Sequence, residues 1–157
     1  MADSGRVTVR PGRPGEAAKL SALALRSKGH WGYDEAFLAA CADELTLREE
    51  DMTRRRVTVA ERGGDVLGFA TLEGDPPEGE LGMLFVAPPA IGRGIGRQLF
   101  THVVTAARAE GFTRLSLDAD PHAEPFYRAM GAVRTGSSPS GSIPGRLLPR
   151  MTVTLTS

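Results

Sequence analysis

The sequence predicts an α/β domain, a mixed central sheet of about six to seven strands flanked by about four helices. Three observations predict it. Apolar residues alternate at period two in several short runs and recur at the helical period in others. The second half of the chain reads strand, helix, strand, helix, which is a βαβ crossover with neighbouring parallel strands. One nearly continuous apolar run, residues 81–86, leads directly into a glycine-rich turn and an amphipathic segment, as a strand buried on both faces does when it feeds a helix.

The elements follow in order. Val7 and Val9 alternate with Arg6, Thr8 and Arg10, a half-buried strand closed by Pro11, Gly12, Pro14 and Gly15. Residues 16–28 place Leu20, Leu23 and Ala24 on one helical face, and Asp34 is a good N-cap for a second helix carrying Phe37, Cys41 and Leu45 at i, i+4, i+8. Strand-like runs over 56–60 and 66–72 flank Gly63-Gly64-Asp65, a hairpin signal. After the run 81–86 a helix is expected from Gly96, with Leu99, Val103 and Ala107 on one face, Phe100 and Val104 beside them, His102 outward, and an end near Gly111. In residues 113–120 Leu115, Leu117 and Ala119 face one way and Ser116, Asp118 and Asp120 the other. Asp120 and Pro121 open a short helix bearing Phe126 and Met130 that Gly131 stops. Residues 135–145 are Gly/Ser/Pro-rich and carry no expected element, and Met151, Val153 and Leu155 read as a terminal strand.

Composition narrows the classes. A chain of 157 residues, 41% hydrophobic and 24% charged, is the size of one domain, expected to span residues 1–157. Its 19 glycines and 11 prolines fall short of a disordered composition. Lys+Arg and Asp+Glu are both 19, so bulk charge recruits neither nucleic acid nor acidic lipid. Cys41 is the only cysteine, which excludes an intrachain disulfide and favours a reducing, cytoplasmic setting. The first ten residues lack the apolar core of a leader, and no apolar run approaches a membrane span. None of the three histidines, His30, His102 and His122, sits at metal-ligand spacing, so no metal is expected.

Gly92-Arg93-Gly94-Ile95-Gly96-Arg97 stands between a buried strand and a helix, where bare backbone can turn several N–H groups and the positive helix end toward one spot. Arg93 and Arg97 add charge suited to phosphate oxygens. A plain strand-to-helix turn requiring positive φ is the competing explanation. Two nucleotide templates fail. The P-loop needs Lys-Ser/Thr where this chain has Arg97-Gln98, and G-x-G-x-x-G needs glycine at Arg97.

This segment resembles the coenzyme A loop of the GNAT superfamily of acyl-CoA-dependent N-acyltransferases. There a strand patterned like Leu81-x-x-Leu84-x-Val86-x-Pro88 precedes a [Gln/Arg]-x-x-Gly-x-[Gly/Ala] loop, matched by residues 91–96, with Ile91 at the usually polar first position. Downstream, residues 120–131 are similar to the family's Asn-x-x-Ala-x-x-Phe-Tyr-x-x-x-Gly, with Asp120 in place of Asn. The resemblance is strong over residues 79–131 and implies the GNAT fold, acetyl-CoA as co-substrate, and an amine acceptor, either a small molecule or a peptide. It implies that Leu84, Phe85, Val86, Ile91, Gly92, Arg93, Gly94, Ile95, Gly96, Arg97, Asp120, Ala123, Phe126 and Tyr127 face the coenzyme. By the same analogy a backbone N–H, that of Val86, polarises the thioester carbonyl, and Tyr127 is the acid toward sulfur; a core tyrosine is the bland alternative.

Glu80 is the first candidate base, His122 the second, and a water chain the third. Asp118 and Asp120 either receive a cationic acceptor or form a solvated acidic edge. Trp31 and Tyr33, in the loop before the second helix, either wall the acceptor site or pin two helices together. Arg146 either clamps an acceptor carboxylate or faces solvent. GNAT relatives are often homodimers, which keeps a homodimer in view here. An acyl-CoA-sensing module without turnover is the rival function, and a nucleotide-binding α/β domain the distant third.

Overall fold

A computed structural model describes residues 6–155. In chain order the elements are β1 (Thr8–Pro11), α1 (Ala17–Gly29), α2 (Glu35–Cys41), α3 (Asp51–Arg54), β2 (Thr58–Arg62), β3 (Asp65–Ala70), β4 (Glu78–Glu80) and β5 (Leu84–Val86). They continue with α4 (Ile95–Ala109), β6 (Arg114–Asp118), α5 (Glu124–Ala129), β7 (Val133–Pro139) and β8 (Leu147–Thr154), and 3-10 turns occupy Pro88–Ala90 and Pro121–Ala123. The strands form two sheets of four, ordered β1-β2-β3-β5 and β4-β6-β8-β7. The first is antiparallel throughout; in the second, β4 runs parallel to β6 and the other pairs are antiparallel.

Alternation along the strands of the first sheet divides the core. Val59 and Phe69, both fully buried, face Leu20, Leu23 and Ala24 of α1, while their neighbours Ala60 and Ala70 face Leu99, Phe100 and Val103 of α4. Leu115, Leu117, Met151 and Val153 of the second sheet continue the α4 side. One such burial, Leu99, contributes about 2 kcal/mol of transfer free energy. Helices thus cover both faces of the first sheet; β6 does have a parallel neighbour, but it is β4, one element before the expected strand, because β5, which feeds α4, lies in the other sheet.

Three expectations need correction. The sheet is not one of six to seven strands: among the described residues eight strands lie in two sheets, and the helices number five because the single turn α3 joins the expected four. The run 81–86 is not one strand buried on both faces. The Leu81 N–H bonds to Ser116 of the second sheet, whereas the Met83 carbonyl accepts from Thr71 beside the first, so the chain changes sheets between them and β5 is only half-buried. The Gly/Ser/Pro-rich stretch carries most of β7, an exposed strand held by its pairing to β8 rather than by apolar alternation of its own. No helix among the described residues is long and apolar enough to cross a membrane.

Candidate active site

β5 ends the first sheet and β4 ends the second, and between these two edges the sheets part. The gap is a cleft of about 560 Å³, floored by residues 80–86 and closed at its ends by the start of α4, by α5 and by the loop after α1. The pairing register decides what β5 offers to it. The Thr71 N–H donates to the Met83 carbonyl (2.9 Å) and the Ala87 N–H to that of Leu67 (2.8 Å), so the bonded pairs are 67:87, 69:85 and 71:83. In an antiparallel ladder the intervening residues turn their peptide groups to the other edge, which puts the N–H and C=O of Leu84 and Val86 toward the gap.

At one end lies the glycine loop. Gly92 (φ +85°) and Gly94 (φ +83°) adopt left-handed conformations that side chains disfavour, and a Cβ on either would meet nothing within 4 Å. The glycines are therefore set by conformation, with open space above them. Gly94 is the N-cap of α4 and supplies no side-chain cap; the first intrahelical bond runs from the Gln98 N–H to the Gly94 carbonyl. The N–H groups of Ile95, Gly96 and Arg97 precede it and point out of the helix start, where the helix dipole is positive. Arg93 and Arg97 are exposed and make no ion pair among the described residues. Gly96 lets this helix start lie against the Phe126 ring, 3.3 Å from where a Cβ would stand. Such a cradle suits a pyrophosphate.

Tyr127 follows Phe126 on α5. It is 7% exposed, edge-on to Phe126 (5.1 Å) and tilted against Phe100 (6.1 Å). Its hydroxyl makes no hydrogen bond to the described residues, and because none of their fully buried polar side-chain atoms lacks a partner, the hydroxyl keeps an opening, which fits the residue's place in the cleft lining. Burial, reinforced by the negative charge of Asp120, pushes the phenol well above its usual range, so it carries its proton at neutral pH.

At the other end side chains build the wall. Asp120 accepts from Lys28 Nζ (2.8 Å), from the Tyr33 hydroxyl (3.0 Å) and from the His122 backbone N–H (2.9 Å), and Arg146 stands at 3.6 Å. Burial alone would raise its carboxyl; the Lys28 and His122 hydrogen bonds and the Lys28 charge override this and hold it well below the usual carboxylate range. His122 Nδ1 lies 2.9 Å from Asp120, and Trp31 stacks on the His122 ring at 5.1 Å. Arg146 donates to the Tyr33 hydroxyl (2.9 Å) and covers the Tyr33 and Phe37 rings. Glu80 accepts on both oxygens from Arg150, which also binds Asp118 at 3.1 Å.

The fold gathers most of the residues singled out above into one cleft, from Trp31 and Glu80 through Leu84, Phe85, Val86, the loop, Asp120, Ala123, Phe126 and Tyr127. Arg93, Tyr33 and Arg146 stand off its lining. Trp31 and Tyr33 reach the 120–122 turn, Tyr33 also stacking on Phe37 of α2 at 4.1 Å beneath Lys28 of α1, and Arg146 is packed over the Tyr33 and Phe37 rings. Sequence reasoning missed Lys28, Thr71 and Arg150. Lys28 had one signal, being one of only two lysines in the chain.

Comparison with known proteins fits this geometry. The profile of the acetyltransferase (GNAT) family matches residues 24–132. A GCN5-related N-acetyltransferase from Rhodopseudomonas palustris is 28% identical with TM-score 0.76, over 94% of this chain and 95% of that one. The PaiA N-acetyltransferase of Thermoplasma acidophilum, solved with coenzyme A, is 16% identical with TM-score 0.78, over 94% and 98%. The ribosomal-protein-S18-alanine N-acetyltransferase of Escherichia coli is 16% identical with TM-score 0.72, over 96% and 95%. With a helix start open to a pyrophosphate, a half-free strand beside it and a family match over 109 consecutive residues, this chain belongs to the acetyltransferase (GNAT) family.

Proposed function

We propose that this chain is a cytoplasmic N-acetyltransferase, one domain over residues 1–157, that moves the acetyl group of acetyl-CoA to a primary amine by direct attack, with Tyr127 protonating the departing sulfur. The observation that carries the reading is convergence: the uncapped N-terminus of α4, the free edge of β5 and the Tyr127 hydroxyl open onto the same cleft. A related fold solved with coenzyme A supports the cradle assignment. When bound, acetyl-CoA supplies an acetyl group already activated as a thioester.

The residues divide the work. The N–H groups of 95–97, with Arg93 and Arg97, hold the pyrophosphate. The Val86 N–H, with that of Leu84 on the same edge, donates to the carbonyl oxygen as negative charge develops there. Tyr127 donates the phenolic proton that burial keeps on it. Glu80 takes the proton that the attacking amine sheds, with His122 and a water chain as the competing routes. Trp31 walls the amine's side of the cleft. Tyr33 and Arg146 act one layer back by holding Asp120, whose negative charge keeps the Tyr127 proton in place.

Thiol release from acetyl-CoA across a panel of primary amines, including peptides with free amino groups, tests this. Turnover with at least one amine is expected, and Tyr127→Phe is expected to lower kcat about 10²-fold with acetyl-CoA binding preserved. An unchanged rate in that variant removes the acid assignment. Binding without thiol release for any amine makes the chain an acyl-CoA sensor.

A further inference from the structure

Between the two halves of the cleft the chain changes sheets over residues 81–83, and a buried hydroxyl holds the change. Thr71 is fully buried. Its N–H donates to the Met83 carbonyl at 2.9 Å, an ordinary ladder bond, but the Met83 N–H donates back to Thr71 Oγ1, also at 2.9 Å. The Thr71 hydroxyl then donates to Glu73 Oε2 at 2.7 Å, and that oxygen also accepts from Arg55 Nε and Nη2 at 2.9 and 2.7 Å. Both capacities of the hydroxyl are used, in a chain of bonds that runs from a main-chain amide to an ion pair and polarises along its length.

Two residues on, Glu73 and Glu80 exchange backbone bonds at 2.8 and 2.9 Å. Between this pair and Thr71:Met83 lie Leu72 on one strand and Leu81 and Gly82 on the other. One residue opposes two, which is a bulge. Neither side closes it: the Leu72 N–H bonds to Arg55 and the Leu81 N–H to Ser116 of the second sheet. A Cβ at Gly82 would overlap the Glu73 carboxylate, so the same carboxylate that orients Thr71 packs on the bulge itself. The last point fixed to the first sheet before the split is therefore Met83, and what fixes it on its N–H side is Thr71.

We propose that Thr71 is a positioning residue for acyl transfer: its hydroxyl, oriented by Glu73 and Arg55, locks Met83 and so aims the outward N–H groups of Leu84 and Val86 at the acyl carbonyl. This rests on the proposed function above, in which that strand edge donates to the carbonyl.

The test uses the full chain and acetyl-CoA carrying ¹³C at the acetyl carbonyl. In the wild type the bound carbonyl resonance is expected downfield of free acetyl-CoA, because N–H donation polarises it. Thr71→Val, which keeps the shape and removes the hydroxyl, is expected to return the resonance most of the way to its free position. It should also lower kcat about tenfold or more, since a displaced donor costs at least that. Kd should change by less than about threefold, because the cradle is untouched and the donated bond is weak to the neutral carbonyl and strengthens mainly as charge develops in the transition state. Thr71→Ser restores both. Should Thr71→Val not fold, Glu73→Gln serves: the hydroxyl loses its charged acceptor and a partial return of the resonance is expected. A variant that melts earlier but keeps the wild-type resonance overturns the proposal, as does wild-type protein that binds acetyl-CoA with no shift. Wild-type protein that does not bind acetyl-CoA at all overturns the proposed function and this inference together.

Discussion

The two ends of the cleft are built from different materials. The end proposed for the coenzyme is main chain: helix-start N–H groups, two left-handed glycines and a strand edge, contributed by residues 84–97. The end proposed for the amine is side chain: Lys28 meets Asp120 across 92 residues of sequence, Tyr33 across 87 and Glu80 meets Arg150 across 70. The lesson is one of tolerance. A main-chain site is damaged by changing backbone conformation and hardly noticed by most side-chain changes, whereas a network of paired charges is damaged by removing any one partner.

The sharpest break is Gly94→Val. A side chain at φ +83° costs about 1–3 kcal/mol and its branches fill the open space above the helix start. Acetyl-CoA affinity, measured by calorimetry, should fall about 10²-fold or more as the main-chain donors are lost. Retained affinity would mean that the cradle is not the coenzyme site.

Asp120→Asn probes the other end. It leaves Lys28 and Arg146 without their carboxylate, and because these side chains keep some contact with solvent the cost should sit near the low side of a broken buried pair, about 3 kcal/mol in chemical unfolding. The effect has a pH signature. The Asp120 carboxyl is held below its unfolded value, so its stabilisation is complete above about pH 4 and is lost as pH falls through the folded value. The wild-type advantage over Asp120→Asn should be constant near neutrality and shrink below about pH 4. An advantage that instead grows in acid would contradict the ionised Asp120.

Arg93→Ala and Arg97→Ala should do least. Both side chains are exposed, so each should weaken acetyl-CoA binding only about three- to tenfold, less at high salt. Losses as large as that of Gly94→Val would erase the contrast between the two ends.

The contrast also explains what the sequence revealed. The glycine loop, the amphipathic face of α4 and the Asp120-Pro121 helix entry were legible because each is local: turn conformation, apolar period and capping act within a few residues. The parting of the sheets was not. Leu81, Met83, Leu84, Phe85 and Val86 look like one buried strand, and what divides them is a hydroxyl at Thr71 and a carbonyl at Ser116, both on other strands. β7 escaped for a related reason: Val133–Pro139 has no alternation of its own and borrows its register from β8. The Lys28–Asp120 pair had no local signal beyond the scarcity of lysine. At Asp120 the departure from asparagine gains a physical reason, because a carboxylate, unlike an amide, can balance the Lys28 and Arg146 cations at once.

The bulge at residues 81–83 has an evolutionary corollary. Because the strand crosses from one sheet to the other there, the edge proposed to handle the thioester belongs to the first sheet, while Glu80 and Arg150 belong to the second, the two meeting at a seam made of residues 81–83 and the Glu73–Glu80 bridge. On the proposed function, mutational drift on the far side of that seam can reshape the choice of amine while thioester recognition, written in peptide groups, passes through unchanged.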